Sequence, residues 1–137
     1  MLMRWCGVSS QSRMNCLKGT SMKLVITGAS GFVGTQLLTQ LKDDANYDLL
    51  LVTRNPTALR RRFPDQVVCS YENLSAQNLA NSVFLHLAVL NNNQNGSDAE
   101  FAAVNVSHLL ETTSLARAGG ARKFVNLCST HALEPML

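Results

Sequence analysis

Three glycines spaced three residues apart are the feature of this sequence that points most clearly to chemistry. Gly28, Gly31 and Gly34 follow a short apolar run and open a segment with helical periodicity. A sharp turn from strand into helix favours a residue without a Cβ atom, and a phosphate can then approach the backbone closely. The helix start offers free N–H groups and partial positive charge to that phosphate. The pattern predicts a pyrophosphate site of a dinucleotide; a glycine-rich turn without a ligand is the structural alternative.

A single arginine bears on which dinucleotide would bind. In dinucleotide-binding folds the residue that meets the adenosine ribose lies about 20 positions beyond the glycines, at the end of the second strand. Counted from Gly34, that position is Arg54. An acidic residue there would bind the ribose 2′-hydroxyl of NAD, whereas arginine suits the 2′-phosphate of NADP. The sequence therefore favours NADP, with NAD as the alternative. Arg60, Arg61 and Arg62 either add positive potential nearby or form a solvated helix face.

The elements that must position these residues alternate between strand and helix. Apolar, often β-branched runs predict five strands, at residues 23–27, 48–53, 66–69, 82–88 and 123–129. Helical spacing predicts helices at residues 31–42, 57–63 and 99–118, with one helical turn at residues 76–81. Such alternation builds βαβ units, so we expect an α/β fold with a Rossmann-type doubly wound parallel sheet. We expect strand order 3-2-1-4-5, incomplete at the C-terminal end because a sixth strand is missing.

Apolar residues at helical spacing predict which faces pack on the sheet. In the first helix that face comprises Val33, Leu37, Leu38 and Leu41. In the long helix the apolar positions include Phe101, Val104, Leu109 and Leu115.

Charge and cysteine content exclude several classes of function. The net charge of +3 comes from Arg4, Arg13 and Lys18, because residues 23–137 carry nine basic and nine acidic side chains. The predicted domain therefore lacks the basic surface that binds nucleic acid or an anionic membrane. No apolar run approaches the roughly 20 residues of a membrane span. No C-x-x-C pair is present, so no metal site is expected, and Cys69 and Cys128 are predicted to be buried reduced thiols of a cytoplasmic protein.

Residues 1–21 differ in composition from the rest of the chain. They contain serines and no acidic residue, which fits either a mitochondrial targeting peptide or an extension upstream of the true start. Met22 stands where the first strand begins. We therefore expect a disordered extension or a wrongly assigned start at residues 1–21, and an NAD(P)-binding domain at residues 22–137.

The octapeptide TGASGFVG at residues 27–34 resembles the cofactor signature of the short-chain dehydrogenase/reductase family, in its extended epimerase/dehydratase branch. FLHLA at residues 84–88 resembles the family's fourth-strand VIHLAA. FAAVNV at residues 101–106 and the following LLE resemble its NVxGTxNLLE helix. AGGARKFV at residues 118–125, with the later Cys-Ser, resembles AGVKRFVYxSS. The similarity covers residues 22–131, nearly the whole predicted domain.

The resemblance implies a role for each matching residue. The cofactor-binding residues that it implies are Gly28, Ser30, Gly31, Phe32, Val33, Gly34, Arg54, Leu87, Ala88 and Asn105. The glycine stretch would line the pyrophosphate, Arg54 would meet the adenosine ribose, and Leu87 and Ala88 would pass beneath the nicotinamide side. Ser129 matches the family's catalytic serine, which hydrogen-bonds the reacting oxygen of the substrate.

Several polar residues also have a purely structural interpretation. His86 lies in an apolar strand and is expected to be a hydrogen-bonded core histidine rather than a catalyst. Asn105 could tie backbone segments together, and Ser129 could be a polar strand end. His131 is paired with no identifiable acid and is expected to lie in a loop.

The sequence departs from the family pattern at the acid–base pair. Tyr47 and Tyr71 are the only tyrosines; both precede the place of the family's Tyr-x-x-x-Lys, and neither has a lysine four residues later. In that pair the tyrosine transfers a proton while the lysine lowers its pKa. We therefore expect these residues alone to be inactive in hydride transfer.

The resemblance implies an NAD(P)-dependent oxidoreductase of the epimerase/dehydratase type, acting on a nucleotide sugar or a related carbonyl or alcohol. We expect this chain to be its truncated N-terminal part, with the Tyr–Lys pair and the substrate-binding region beyond Leu137. One alternative is a non-catalytic NADP(H)-binding sensor or partner protein. Another is a broken gene product without stable function. In it the fifth strand would be partly exposed, because the strand and helix that normally cover it are missing. The expected partners are the small-molecule substrate and a second copy in a homodimer.

Overall fold

The computed structural model describes residues 21–89 and 97–127, whose strands form one parallel sheet. The strands are β1 (Met22–Thr27), β2 (Tyr47–Val52), β3 (Val67–Cys69), β4 (Val83–His86) and β5 (Lys123–Asn126). Their order is β3-β2-β1-β4-β5, and every neighbouring pair is parallel. The predicted Rossmann-type order is therefore confirmed. Because the order reverses between β1 and β4, the carboxyl ends of these two strands flank the crevice where such sheets bind ligands.

Helices connect the strands within the described residues. They are α1 (Phe32–Leu41), α2 (Pro56–Arg62) and α3 (Asp98–Ala118), with a 3-10 helix at Leu74–Ala76. None of these helices is long and apolar enough to cross a membrane. The helical turn predicted at residues 76–81 is wrong: the 3-10 helix precedes it and ends where the Gln77 N–H donates to the Leu74 carbonyl. Leu74 is fully buried and anchors this segment, which shifts the turn toward the N-terminus.

Two apolar layers pack on opposite faces of the sheet, because successive strand residues point to opposite sides. One layer joins the sheet to α1 and α2 and contains Ile26, Leu38 and Leu51. The other lies on the α3 side and contains Val25, Phe84 and Ala116. Strands covered on both faces are nearly continuous apolar runs, as the sequence of β1 and β2 suggests.

The predicted packing face of α1 needs one correction. Leu38 is fully buried, and Leu37 and Leu41 pack against the core, but Val33 is exposed. Gly34 and Leu38 are four residues apart and both buried, so they define the side of the helix that faces the sheet. Val33 is rotated from that side by about 100° and therefore points toward solvent.

The long helix α3 begins at a capping box and contacts the sheet mainly through its second half. The Ser97 side chain accepts from the Glu100 N–H, while the Glu100 carboxylate accepts from the Ser97 N–H at 2.8 Å. Only Thr112 and Ala116 are fully buried, and these small residues let the helix lie close to the strands. Of its predicted apolar positions, Val104 is exposed. The first half of α3 is thus left beside the crevice at the sheet edge.

Several sequence-based predictions fall outside the described residues. Residues 1–20, and with them nearly all of the predicted N-terminal extension, belong to this group, as do Cys128, Ser129 and His131. β5 ends at Asn126, three residues before the predicted end of that strand. Cys69 is buried as a free thiol, as predicted, and burial raises its pKa.

His86 is a core residue, in agreement with the sequence-based expectation. Its side chain is 2 % exposed, and Nδ1 lies 2.7 Å from the Thr27 hydroxyl across the β1–β4 pair. The ring also packs against Phe124 of β5 at a centroid distance of 5.8 Å. Burial, and next the charge of His108, lower the His86 pKa from 6.5 to about 4. At neutral pH the folded protein therefore contains a neutral imidazole at this position.

We expect His86 to make the protein sensitive to acid. The unfolded chain binds a proton near pH 6.5 and the folded chain near pH 4, so this contribution to stability is complete above pH 6.5 and falls as the pH decreases toward 4. The pKa difference corresponds to at most about 3 kcal/mol of unfolding free energy. Urea unfolding across this pH range measures the slope, and His86→Asn should flatten it. An equally steep slope in His86→Asn would contradict this assignment.

Candidate functional site

A cavity of about 260 Å³ lies at the carboxyl edge of the sheet, where the strand order reverses. The loops after four strands and the first half of α3 surround it. Its lining residues are Gly28, Ser30, Gly31, Thr53, Arg54, Tyr71, Leu87, Ala88, Val89, Val104, Asn105 and His108.

The glycine turn after β1 forms one wall of the cavity and packs directly on the loop after β4. Gly28 has φ +71°, and a Cβ atom there would lie 2.6 Å from the Ala88 backbone nitrogen. The Gly31 N–H donates to the Gly28 carbonyl at 3.0 Å, which closes the turn. At Gly34 a Cβ atom would lie 2.5 Å from the same carbonyl, so α1 approaches the turn closely. The glycines therefore allow three backbone segments to meet at the cavity wall.

The N-terminus of α1 has the features of an anion-binding helix start. Its N-cap is Gly31, no side chain caps it, and its first turn contains no acidic residue. The N–H groups of a first helical turn have no partner within the helix and carry partial positive charge. The backbone here therefore fits a phosphate group of a dinucleotide.

Ser30 connects the glycine turn to the segment that carries Arg54. The Ser30 hydroxyl lies 3.2 Å from the Thr53 hydroxyl, which in turn accepts from the Asn55 N–H at 3.3 Å. Thr53 is buried and its N–H donates to the Cys69 carbonyl of β3. Arg54 is exposed at the cavity rim beside this anchored residue. The guanidinium therefore extends from a rigid position at the end of β2.

Four side chains form a compact group at one end of the cavity, here called the Tyr71 cluster: Thr27, Tyr71, His86 and His108. The Tyr71 and His108 rings meet edge to face at a centroid distance of 4.6 Å, and His86 lies 5.4 Å from His108. Tyr71 is hydrogen-bonded to the Gly28 backbone and the Thr27 side chain; both bonds lower its pKa, but burial outweighs them and raises it. The Tyr71 cluster thus joins β1, β4, α3 and the loop after β3.

The charge state of His108 follows from its surroundings. Burial lowers its pKa, the Glu111 carboxylate raises it, and the Arg54 guanidinium lowers it further; the net shift is downward. The imidazole is therefore neutral at pH 7, and Arg54 supplies the positive charge at the rim.

The structure brings most of the sequence-predicted binding residues to one cavity. Those that line it are Gly28, Ser30, Gly31, Arg54, Leu87, Ala88 and Asn105. Gly34 borders the turn without lining the cavity, and Phe32 and Val33, whose side chains are 83 % and 48 % exposed, do not line it either. Only their backbone N–H groups remain as candidates for phosphate contacts. Ser129 lies outside the described residues.

Sequence reasoning missed several lining residues. Thr53, Tyr71, Val89, Val104 and His108 were not assigned to the site, although all five line it. Tyr71 and Val89 could have been found by position, because each closely follows the carboxyl end of a strand. His108 lies on the surface of α3. It contacts Tyr71, in the loop after β3, only through the tertiary fold, so no local sequence pattern could have related the two residues.

Comparison with known proteins agrees with this fold. The chain is 41 % identical over 56 residues to protein Rcp of Vibrio cholerae, an alignment that covers 41 % of this chain and 26 % of that protein. A short-chain dehydrogenase/reductase superfamily protein from Agrobacterium tumefaciens with bound NAD is similar in structure, with a TM-score of 0.58 and 21 % identity. That match covers 76 % of this chain and 31 % of the other.

UDP-N-acetylglucosamine 4-epimerase from Bacillus cereus is similar with a TM-score of 0.54 and 21 % identity, over 77 % of this chain and 39 % of the epimerase. The chain thus spans well under half the length of each of these proteins. The sequence profile described as the NAD dependent epimerase/dehydratase family matches residues 24–136, which is most of the chain. The chain belongs to the NAD dependent epimerase/dehydratase family.

Proposed function

We propose that residues 22–137 form an NADP(H)-binding domain of an epimerase/dehydratase-like oxidoreductase. One observation carries this proposal: the glycine turn, an uncapped helix start and Arg54 all border a single cavity at the topological switch point of the sheet. The backbone at Gly31 would hold the pyrophosphate, and Leu87 and Ala88 would lie under the nicotinamide half. The bound cofactor would supply a hydride acceptor or donor.

Arg54 supports NADP over NAD as the preferred cofactor. It is exposed at the cavity rim, beside the anchored Thr53 at the end of β2, where a ribose 2′-substituent would lie. Among the described residues, none that lines this cavity is acidic. A guanidinium pairs well with a phosphate and leaves a ribose hydroxyl without an acceptor. The family as a whole is described as NAD dependent, so NAD remains the alternative.

The substrate class that we propose is a nucleotide sugar or a related carbonyl or alcohol. The support is the family match and the likeness to a UDP-N-acetylglucosamine epimerase. Ser129 would hydrogen-bond the reacting oxygen, and Asn105, which lines the cavity, would position the cofactor or α3. We also propose a cytoplasmic location, in keeping with the free Cys69 thiol, and a homodimer; cell fractionation and the mass in solution test these points.

The alternative is a non-catalytic NADP(H)-binding sensor or partner protein. Within these 137 residues neither tyrosine begins a Tyr-x-x-x-Lys sequence. Tyr71 borders the cavity, but its hydroxyl is bonded to Thr27 and Gly28, and burial raises its pKa. It is therefore poorly suited to exchange a proton with a substrate.

Substitution of Gly28 tests nucleotide binding. Gly28→Ala should weaken NADPH binding more than tenfold, because the methyl group would force the turn away from Ala88 and strain a left-handed backbone. Gly120→Ala is the matched control: Gly120 has φ +77°, but the nearest atom to its added Cβ lies at 3.8 Å and the cavity is remote. Titration calorimetry on folded variants measures the affinities. Equal losses in the two variants would contradict the proposed site.

Arg54→Gln should change the cofactor preference. We expect NADPH affinity to fall about ten- to hundredfold, since one charge-assisted contact is lost, while NADH affinity stays within about twofold. The control is Arg122→Gln. Arg122 is an exposed arginine directly before β5, at the amino ends of the strands, whereas the cavity lies at their carboxyl ends. Comparable NADH and NADPH affinities in the unsubstituted protein would refute the preference for NADP.

An assay of turnover tests the expectation that this chain alone is inactive. We expect the 137-residue chain to bind NADPH but to show no oxidation of it, and no NADP reduction, with UDP-sugars above the background rate. The physical reason is the lack of a tyrosine acid with a neighbouring lysine. The absorbance of the reduced nicotinamide follows any net oxidation or reduction, and NMR of the sugar follows epimerisation, in which the hydride returns to the substrate and the cofactor shows no net change. Robust turnover that disappears in Gly28→Ala would contradict this expectation.

A further inference from the structure

We propose that the Thr53 hydroxyl is a positioning group for Arg54 and in this way contributes to the preference for NADP. The inference rests on the proposed nucleotide site and adds a role for a residue outside the glycine motif. Thr53 is only 3 % exposed, although it borders the cavity. A hydroxyl buried to this degree contacts little of a ligand, so its effect on binding has to pass through the residues that it holds.

The protein holds Thr53 on three sides. Its N–H donates to the Cys69 carbonyl of β3 at 3.2 Å, which fixes the backbone at the end of β2. Its hydroxyl oxygen accepts from the Asn55 N–H at 3.3 Å and lies 3.2 Å from the Ser30 hydroxyl in the glycine turn. One buried oxygen atom therefore connects two segments that border the cavity. We call these contacts among Ser30, Thr53 and Asn55 the hydroxyl link.

The hydroxyl link encloses Arg54 in a small turn. The backbone bends at Arg54, between the Thr53 hydroxyl and the Asn55 N–H that donates to it. A threonine oxygen that accepts from the N–H two residues later is the side-chain equivalent of a backbone turn. Asn55 is also the N-cap of α2, where its side chain accepts from the Ala58 N–H at 3.2 Å. The exposed side chain of Arg54 therefore starts from a backbone that is anchored on both sides.

The contact with Ser30 sets the distance between the two parts of the site that would bind phosphate. The glycine turn is proposed to hold the pyrophosphate, and Arg54 is proposed to meet the 2′-phosphate of the same ligand. The Ser30 and Thr53 hydroxyls join these two segments directly. An arginine whose backbone is fixed before the ligand binds loses less conformational entropy when its guanidinium pairs with a phosphate.

The hydroxyl link should matter for NADP and little for NAD. The two cofactors share the pyrophosphate and differ in the 2′-phosphate, which is the group that Arg54 would bind. Poorer positioning of Arg54 therefore weakens NADPH binding and leaves NADH binding nearly unchanged. A purely structural role for Thr53 would instead lower the stability of the fold, or both affinities together, and would not change their ratio.

Substitution of Thr53 in the full 137-residue chain tests the proposal. Thr53→Val keeps the shape of the side chain and removes the hydroxyl. We expect NADPH affinity to fall about three- to tenfold, as for the loss of one hydrogen bond, while NADH affinity stays within about twofold. Thr53→Ser retains the hydroxyl and should restore the ratio of the two affinities. Titration calorimetry on folded variants measures them.

Thr112→Val is the matched control. Thr112 is also buried, and its hydroxyl donates to the His108 carbonyl within α3 at 2.8 Å, but it does not line the cavity. This substitution should leave the ratio of NADPH to NADH affinity unchanged. An equal fall of that ratio in Thr53→Val and Thr112→Val would overturn the proposal.

A double-mutant cycle shows whether Thr53 acts through Arg54. In the Arg54→Gln background, Thr53→Val should change NADPH affinity by less than about twofold, because the group that Thr53 positions is already absent. If Thr53→Val caused the same loss of NADPH affinity in both backgrounds, Thr53 would act independently of Arg54 and the proposal would be overturned.

The outcomes also separate this proposal from the proposed function. Equal losses of NADPH and NADH affinity in Thr53→Val would overturn the positioning role, while the binding seen in the unsubstituted protein would retain the nucleotide site. If the unsubstituted protein bound neither cofactor, both proposals would fail.

Ser30→Ala decides the question if Thr53→Val does not fold. Ser30 is exposed, so its substitution breaks the hydroxyl link without disturbing the core. A contact of Ser30 with the pyrophosphate would affect both cofactors alike, so the ratio of the affinities reports on the link. We expect the ratio of NADPH to NADH affinity to fall, and an unchanged ratio would overturn the proposal.

Discussion

The contact between the glycine turn and the loop after β4 is the constraint on which the candidate site depends. β1 and β4 pair in parallel, and just beyond their ends the two backbones come so close that a methyl group on Gly28 would lie 2.6 Å from the Ala88 nitrogen. Only glycine satisfies both this distance and φ +71°. The glycine turn also fixes where α1 starts, because Gly34 lies against the Gly28 carbonyl. One wall of the cavity and the uncapped start of α1 therefore depend on the same close backbone contact.

A second set of contacts, between buried polar side chains, supports the glycine turn. Thr27 is the last residue of β1, and its hydroxyl joins His86 of β4 to the Tyr71 hydroxyl. The polar groups are buried yet partnered, so they add specificity without the cost of an unsatisfied group. His108 completes the cluster from α3. Protonation of either histidine would place a charge among poorly solvated side chains. The acid sensitivity that we expect from His86 would therefore originate beside the cavity.

The sequence predicts the sheet well and the site only in part, for physical reasons. Strand order follows from apolar periodicity and from the rules for parallel crossovers, both of which are local or topological. The glycine spacing identifies the turn because backbone geometry constrains residue type there. Tyr71 and His108 meet through the tertiary fold, and no periodicity relates them. The exposure of Val33 and the position of the 3-10 helix depend likewise on which neighbours compete for buried space.

Binding and proton transfer place opposite demands on Tyr71. A residue that fixes the turn and forms a wall must keep its hydroxyl engaged, and Tyr71 does so through Thr27 and Gly28. A general acid must instead release its proton readily near neutral pH, which requires a lowered pKa and a nearby cation. Burial raises the Tyr71 pKa, and the nearby Arg54 lowers it less than burial raises it. These surroundings suit Tyr71 to a fixed position in the cavity wall and make it a poor general acid.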